Sequence, residues 1–175
     1  MALYSKVQRE NLDVIEKINA VFLGTRDFRQ LAERAVNLMT AELKSEGILS
    51  ASIFRVHADE NRLYAYAFSS RAFDAVNKLY PKKFSELSVS MDEYSNLLVK
   101  AVQRKEEQES DHLYDFARPA LNEMVSAAVQ RLVGAKHGIA YPLRLKQGKA
   151  TGVVLFSVGD QAIDARQRVL LEAFR

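Results

Sequence analysis

After Gly47 the spacing of apolar residues in this chain drops from about 3.6 to 2, and that change restricts the fold more than any other feature. Upstream, Phe28, Leu31, Ala32, Ala35, Val36, Met39 and Leu43 recur at helical spacing. Asp27 followed by Gln30 resembles a capping box that starts this helix, and Gly47 supplies its stop. Downstream, LSASIFRVHADENRLYAYAFSS alternates along two β-rich runs around Asp59-Glu60-Asn61, which predicts a hairpin. A second hairpin is expected from Gly138 to Lys146 and Ala150 to Val158, with Gln147-Gly148 at the turn, where glycine permits positive φ.

Helical patterns fill the space between and around these hairpins. Arg71 to Tyr80 reads as a short helix closed by Pro81, because the residue before a proline leaves the helical region. A short strand within Phe84 to Ser90 is followed by a helix over Asp92 to Gln103, with Leu97, Leu98, Ala101 and Val102 inward. The polar run from Arg104 to His112 reads as a solvated connection. Pro119 then opens a helix whose stripe is Leu121, Met124, Val125, Ala128, Val129 and Leu132, ending at Gly134. Asp164 and Gln167 form a second possible capping box before Val169, Leu170, Ala173 and Phe174. Strands grouped as hairpins with segregated helices predict an α+β fold: a central antiparallel sheet with flanking helices.

A length of 175 residues with 48% hydrophobic content suits one globular domain with extra helices at its ends. At the N-terminus Tyr4, Val7, Asn11, Val14, Ile18 and Val21 step by three and four, a heptad-like seam widened by Leu12, Ile15 and Phe22. Such a helix either packs on its own domain or pairs with a second copy. The formal charge of +3, from 25 basic and 22 acidic residues, is small and scattered. It argues against a nucleic-acid partner and against membrane contact by this segment. No stretch approaches the ~18 apolar residues of a membrane span, so cytoplasm is the expected compartment.

The chain offers little to reaction chemistry. It contains no cysteine, which removes disulfides, thiolate metal sites and cysteine nucleophiles together. His57, His112 and His137 stand at no metal-ligand spacing and read as surface or strand-end residues. No Gly-x-Ser-x-Gly elbow, phosphate loop or dinucleotide fingerprint occurs. Glu106, Glu107, Glu109 and Asp111 lack the ligand spacing and turn glycine of a calcium loop and read as a solvated face. The expectation is therefore no enzyme, no metal and no cofactor. Among the aromatics, Tyr64, Tyr66 and Phe68 share one face of the second strand, with Leu63, Ala65 and Ala67 on the other. One of these faces meets a helix or lines a cavity. Tyr141 falls in an apolar row with Ile139, Leu143 and Leu145, where its hydroxyl needs a partner. Pro142, on the opposite face, removes a ladder donor and predicts an edge, a bulge or looser pairing.

GIAYPLRLKQGKATGVVLFS resembles the C-terminal signature of GAF domains: a strand ending in Pro-Leu, a short turn bearing glycine, and a Gly-Val-Leu strand leading into a final helix. The helix from Phe28 to Leu43 is placed like the family's first helix, ASIFRVHADENRLYAYAFSS like its first hairpin, and NLLVKAVQRKEEQESDHLYDF like its middle stretch. The resemblance runs from Phe28 to Arg175. It implies a single GAF-like domain over residues 27–175, preceded over residues 1–26 by a signalling or dimerisation helix carrying Val7, Asn11, Val14, Ile18 and Val21. It further implies a last helix that is cut short and leads into an output domain beyond Arg175.

GAF domains serve as sensory or dimerising modules ahead of histidine kinases, cyclases, phosphodiesterases and transcriptional activators. The resemblance thus implies a non-catalytic sensory domain of a multidomain signal-transduction protein, foremost a sensor histidine kinase of a two-component system, forming a homodimer through its terminal helices. A small molecule would bind among Phe54, Tyr66, Tyr94, Leu98, Asp115 and Tyr141, with aromatic walls and Asp115 as polar anchor. The alternative is a dimerisation or interaction module without ligand, from a transcriptional regulator or another signalling protein. Lack of cysteine excludes covalent bilin and the thiol chemistry of free methionine sulfoxide reductases. Members that bind cyclic nucleotides carry Asn-Lys, then Phe, then Asp-Glu three residues later. Here Asn77-Lys78 and Phe84 are present but Asp92-Glu93 fall too far on, which argues against cyclic GMP.

Overall fold

The structure, a computed structural model, describes residues 27–80, 86–144, 150–160 and 162–172. The seam of Val7, Asn11, Val14, Ile18 and Val21 lies outside them, as do Pro81, Phe84, Leu145, the Gln147-Gly148 turn, Ala173 and Phe174. Helix α1 (Phe28–Glu42) starts where Asp27 Oδ1 accepts from the Arg29 and Gln30 amides at 2.9 and 3.4 Å. A 3₁₀ turn and Gly47, at φ 77°, then redirect the chain into β1 (Ile48–His57). The first hairpin forms as predicted: Asn61, in the left-handed region, closes the turn into β2 (Arg62–Phe68).

Helix α2 (Ser70–Leu79) and the short β3 (Ser88–Ser90) follow. Next come α3 (Leu97–Arg104), β4 (Gln108–Ser110), the single turn α4 (Tyr114–Ala117) and α5 (Glu123–Val133). The second hairpin, β5 (His137–Arg144) and β6 (Ala150–Val158), leads to α6 (Ala165–Glu172). All six strands form one antiparallel sheet in the order β3-β2-β1-β6-β5-β4. The predicted capping box at α6 is reciprocal: the Gln167 amide donates to Asp164 Oδ1 at 2.7 Å, and the Asp164 amide to Gln167 Oε1 at 2.9 Å.

Four local expectations change. The run from Arg104 to His112 is not all solvated connection, because Gln108–Ser110 pairs with Gly138–Ala140 and closes that edge of the sheet. The helix expected from Asp92 begins only at Leu97, where Asn96 caps it. Helix α5 starts after Asn122 rather than at Pro119, and it buries Ser126, Val129 and Val133. Met124 and Leu132 of the expected stripe, like Phe28 at the start of α1, are exposed instead. Finally, β1 and β2 slip past each other at one place. Ile53 faces Ala67 while Phe54 faces Ala65, so Tyr66 is an extra residue in the ladder.

The two sheet faces are covered differently. On one, Val36 and Met39 of α1, Leu43 at its C-cap and Leu171 of α6 pack against Ile139, Tyr141, Val154 and Phe156. On the other, α3 packs against Leu63, Val153 and Leu155, while α2 and α5 meet over Ala65 through Val76, Val129 and Val133. Each fully buried Val, Leu or Phe in these layers contributes roughly 1.5–3 kcal/mol. Strands β1 and β6 approach so closely that a Cβ on Gly152 would stand 2.3 Å from the Phe54 carbonyl oxygen. Glycine in the Gly-Val-Leu strand is thus a steric requirement.

Candidate functional site: an apolar cavity over the sheet

Small residues line up across four strands. Ser110 is paired with Gly138, Gly138 with Ser157, and Ser157 with Ser50. Where side chains are this small the helices cannot close fully onto the sheet, and a cavity of about 80 Å³ remains. Ser50, Ser52, Phe54 and Leu155 contribute to its floor, and Val76, Phe116 and Val129 to its roof. Phe116 seals one end, since its ring lies 3.0 Å from where a Cβ on Gly138 would be.

The polar side chains of the lining divide into two groups. Ser88 accepts from Arg62, at 2.8 Å from Nη2. Gln130 accepts from the Leu113 amide at 2.9 Å and donates to the Asp111 carbonyl at 2.7 Å. His137 has Nδ1 2.6 Å from Asp111 and Nε2 3.1 Å from Glu109. These three are committed to the protein. The hydroxyls of Ser50, Ser52 and Ser157 make no hydrogen bond among the described residues. No Lys, Arg, Asp or Glu among the described residues lines the cavity.

Of the six residues expected at a ligand site, the structure brings Phe54 and Leu98 to the cavity. The other four lie elsewhere. Tyr66 alternates with Leu63 and Ala65 and so faces the other side of the sheet, where it packs on the α1 layer with the Arg55 guanidinium 5.7 Å from its ring centre. The slip between β1 and β2 separates it from Phe68, which does line the cavity. Tyr94 is 64% exposed on the loop before α3. Asp115 accepts from Ser110 Oγ at 2.6 Å and stands 3.7 Å from Arg118, so its carboxylate is engaged outside the cavity. Tyr141 is fully buried in the α1 layer, and its hydroxyl has no partner among the described residues. Burial, aided by the Glu107 carboxylate, pushes its pKa up to about 12.

The residues that the sequence reading passed over are Ser50, Ser52, Ser157 and Gly138. Their signal is present: serine at alternate positions of an otherwise apolar strand marks a face with spare room. His137 was also undervalued. Of its two carboxylate neighbours Glu109 lies on β4 and Asp111 just past it, while Arg168 of α6 bonds Glu109 at 2.6 Å and pairs with Glu107, just before the strand. The bond to Glu109 holds Arg168 protonated beyond its ordinary range. A polar chain therefore runs from Gln130, at the cavity, through Asp111, His137 and Glu109 to the C-terminal helix.

Neither a protein-family model nor a curated protein matches the chain. Solved structures match it along most of its length. The A. aeolicus nlh2 GAF domain in an inactive state aligns with TM-score 0.60 at 13% identity, covering 95% of this chain and 88% of that one. The GAF domain of an Acinetobacter phosphoenolpyruvate-protein phosphotransferase aligns with TM-score 0.58 at 13% identity, over 93% and 85% of the two chains. Free methionine-R-sulfoxide reductase from Neisseria meningitidis, solved with its substrate, gives 0.60 at 13% identity, over 92% and 81%. The fold is that of a GAF domain. The same fold occurs in GAF domains of larger proteins and in an enzyme, so it does not by itself fix a function.

Proposed function

We propose that this is a non-catalytic sensory domain of a multidomain signal-transduction protein, which reads the occupancy of the cavity and passes it on through its terminal helices. The observation that carries this reading is an apolar cavity with uncommitted hydroxyls, joined by hydrogen bonds and ion pairs to α6. A ligand must bind two arrangements of the terminal helices with different affinity, or it shifts nothing. The polar chain is a physical link by which it does so. A reaction through a thiolate of this chain is ruled out by composition, and among the described residues the cavity lining holds no Asp, Glu or Lys for acid/base work. The output domain we place downstream is foremost that of a sensor histidine kinase, with the 1–26 helix pairing two copies.

A second reading, an interaction module that only dimerises, is favoured by the cavity's small size. A thermal-shift screen with small metabolites separates the two, using the wild type and Ser52→Leu, which fills the floor. At a hundredfold excess over Kd a ligand stabilises by about 2.7 kcal/mol. Sensing predicts a melting temperature raised by several degrees in the wild type and unmoved in Ser52→Leu. No shift with any compound would support the second reading. In either reading, Val14→Asp with Ile18→Asp converts the dimer to monomer by sedimentation, and a persistent dimer would exclude the seam.

A further inference from the structure

We infer that the cavity's ligand is a compact, uncharged molecule with an apolar body and one neutral hydrogen-bonding head, a hydroxyl, carbonyl or amide, held by Ser50, Ser52 and Ser157. The inference rests on the sensory reading above and specifies its ligand class. Its first support is the balance of polar groups. Ser88, Gln130 and His137 already have partners, which leaves three hydroxyls as the uncommitted polar side chains of the lining. A hydroxyl both donates and accepts, so the three match a neutral head of either kind.

The second support is charge. Moving an ionised carboxylate or ammonium into an apolar site without a counter-charge costs far more than a hydroxyl can return. No Lys, Arg, Asp or Glu among the described residues lines the cavity, and His137 is already held by Asp111 and Glu109, so acids, amines and phosphates find no free counter-charge there and are disfavoured. The third is size. An apolar cavity of roughly 150 Å³ accepts benzene, and this one is about 80 Å³. A molecule of a few heavy atoms fits, whereas a nucleotide does not. The fourth is geometry. Ser50 and Ser157 are directly paired on β1 and β6, and paired residues lie roughly 4.5–5.5 Å apart. One head group of one or two heavy atoms reaches both hydroxyls, with its apolar body toward Phe54, Val76 and Phe116.

The test is an amide NMR titration of the intact chain with five probes of one size: butan-1-ol, butanamide, pentane, butanoate and butylammonium. The expected result is saturable shifts at cavity-lining amides for the alcohol and amide, at a Kd at least tenfold below those of the two ions. Ser50→Ala with Ser52→Ala should erase the wild type's several-fold preference for butan-1-ol over pentane, and the milder Ser157→Ala should reduce it. Ions that bind as tightly as the alcohol would overturn the inference. A preference for butan-1-ol over pentane that persists in the double variant would overturn the head-group assignment while leaving the cavity as a binding site. If no probe moves the lining amides, the cavity holds water alone and the ligand-sensing reading falls with the inference.

Discussion

Tyr141 buries a phenolic hydroxyl that has no partner among the described residues, and such a group costs the fold about 1–3 kcal/mol in lost solvation. Tyr141→Phe should therefore stabilise the protein by about 1 kcal/mol in urea denaturation. The pH dependence has a definite sign. The folded pKa of about 12 lies above the ordinary 10, so the unfolded chain releases this proton first. Stability is fully present below pH 10 and falls as pH rises toward 12. The advantage of Tyr141→Phe should widen between pH 9 and 11; an unchanged difference would contradict the burial of the hydroxyl. That Tyr141 sits in an apolar row was legible from alternation along its strand. The side of the sheet that keeps space was not, because one inserted residue at Tyr66 changes which aromatics share a face.

Elements were legible where their signals are local and obscure where their partners are distant. Asp27, Gly47, Asn61 and the Asp164–Gln167 box act within a few residues and were read directly. Asn96 was missed. It is fully buried, caps α3 through the Leu98 and Val99 amides, and donates to the Phe116 and Arg118 carbonyls at 2.8 and 2.6 Å. Two of those partners lie 20 and 22 residues downstream. Asn96→Ala removes a helix cap and leaves buried carbonyls unpaired, so a loss of about 2–4 kcal/mol is expected in equilibrium unfolding. A loss below about 1 kcal/mol would show that α3 does not depend on this bridge.

Strand β4 is a second element with a distant cause. Its three residues read as polar loop, yet they pair with β5, and Arg168 of α6 forms ion pairs with Glu109 on the strand and Glu107 just before it. These pairs are partly exposed and correspondingly screened. Arg168→Gln should cost no more than about 1 kcal/mol overall, while amide exchange at Gln108–Ser110 accelerates severalfold. Exchange that stays at the wild-type rate would mean that α6 does not hold this edge.

At the scale of the molecule, the sheet separates two layers: α1 and α6 on one face, the cavity and its roof of α2, α4 and α5 on the other. The α+β architecture was legible because helical and strand periods alternate cleanly along the chain, and the hairpin motif pointed to the GAF fold. The cavity was not, because it arises from small residues on β1, β5 and β6 that meet only when the sheet is assembled. In the proposed sensory role, the polar link between the two layers runs around the sheet edge, where β4 touches both His137 and Arg168. All of this depends on a real space over Ser50 and Ser52. Crystals pressurised with xenon measure it directly. One ordered xenon is expected between Phe54, Val76, Phe116 and Val129, absent in Ser52→Leu; a wild-type crystal with no xenon at that position would show that the cavity is not there.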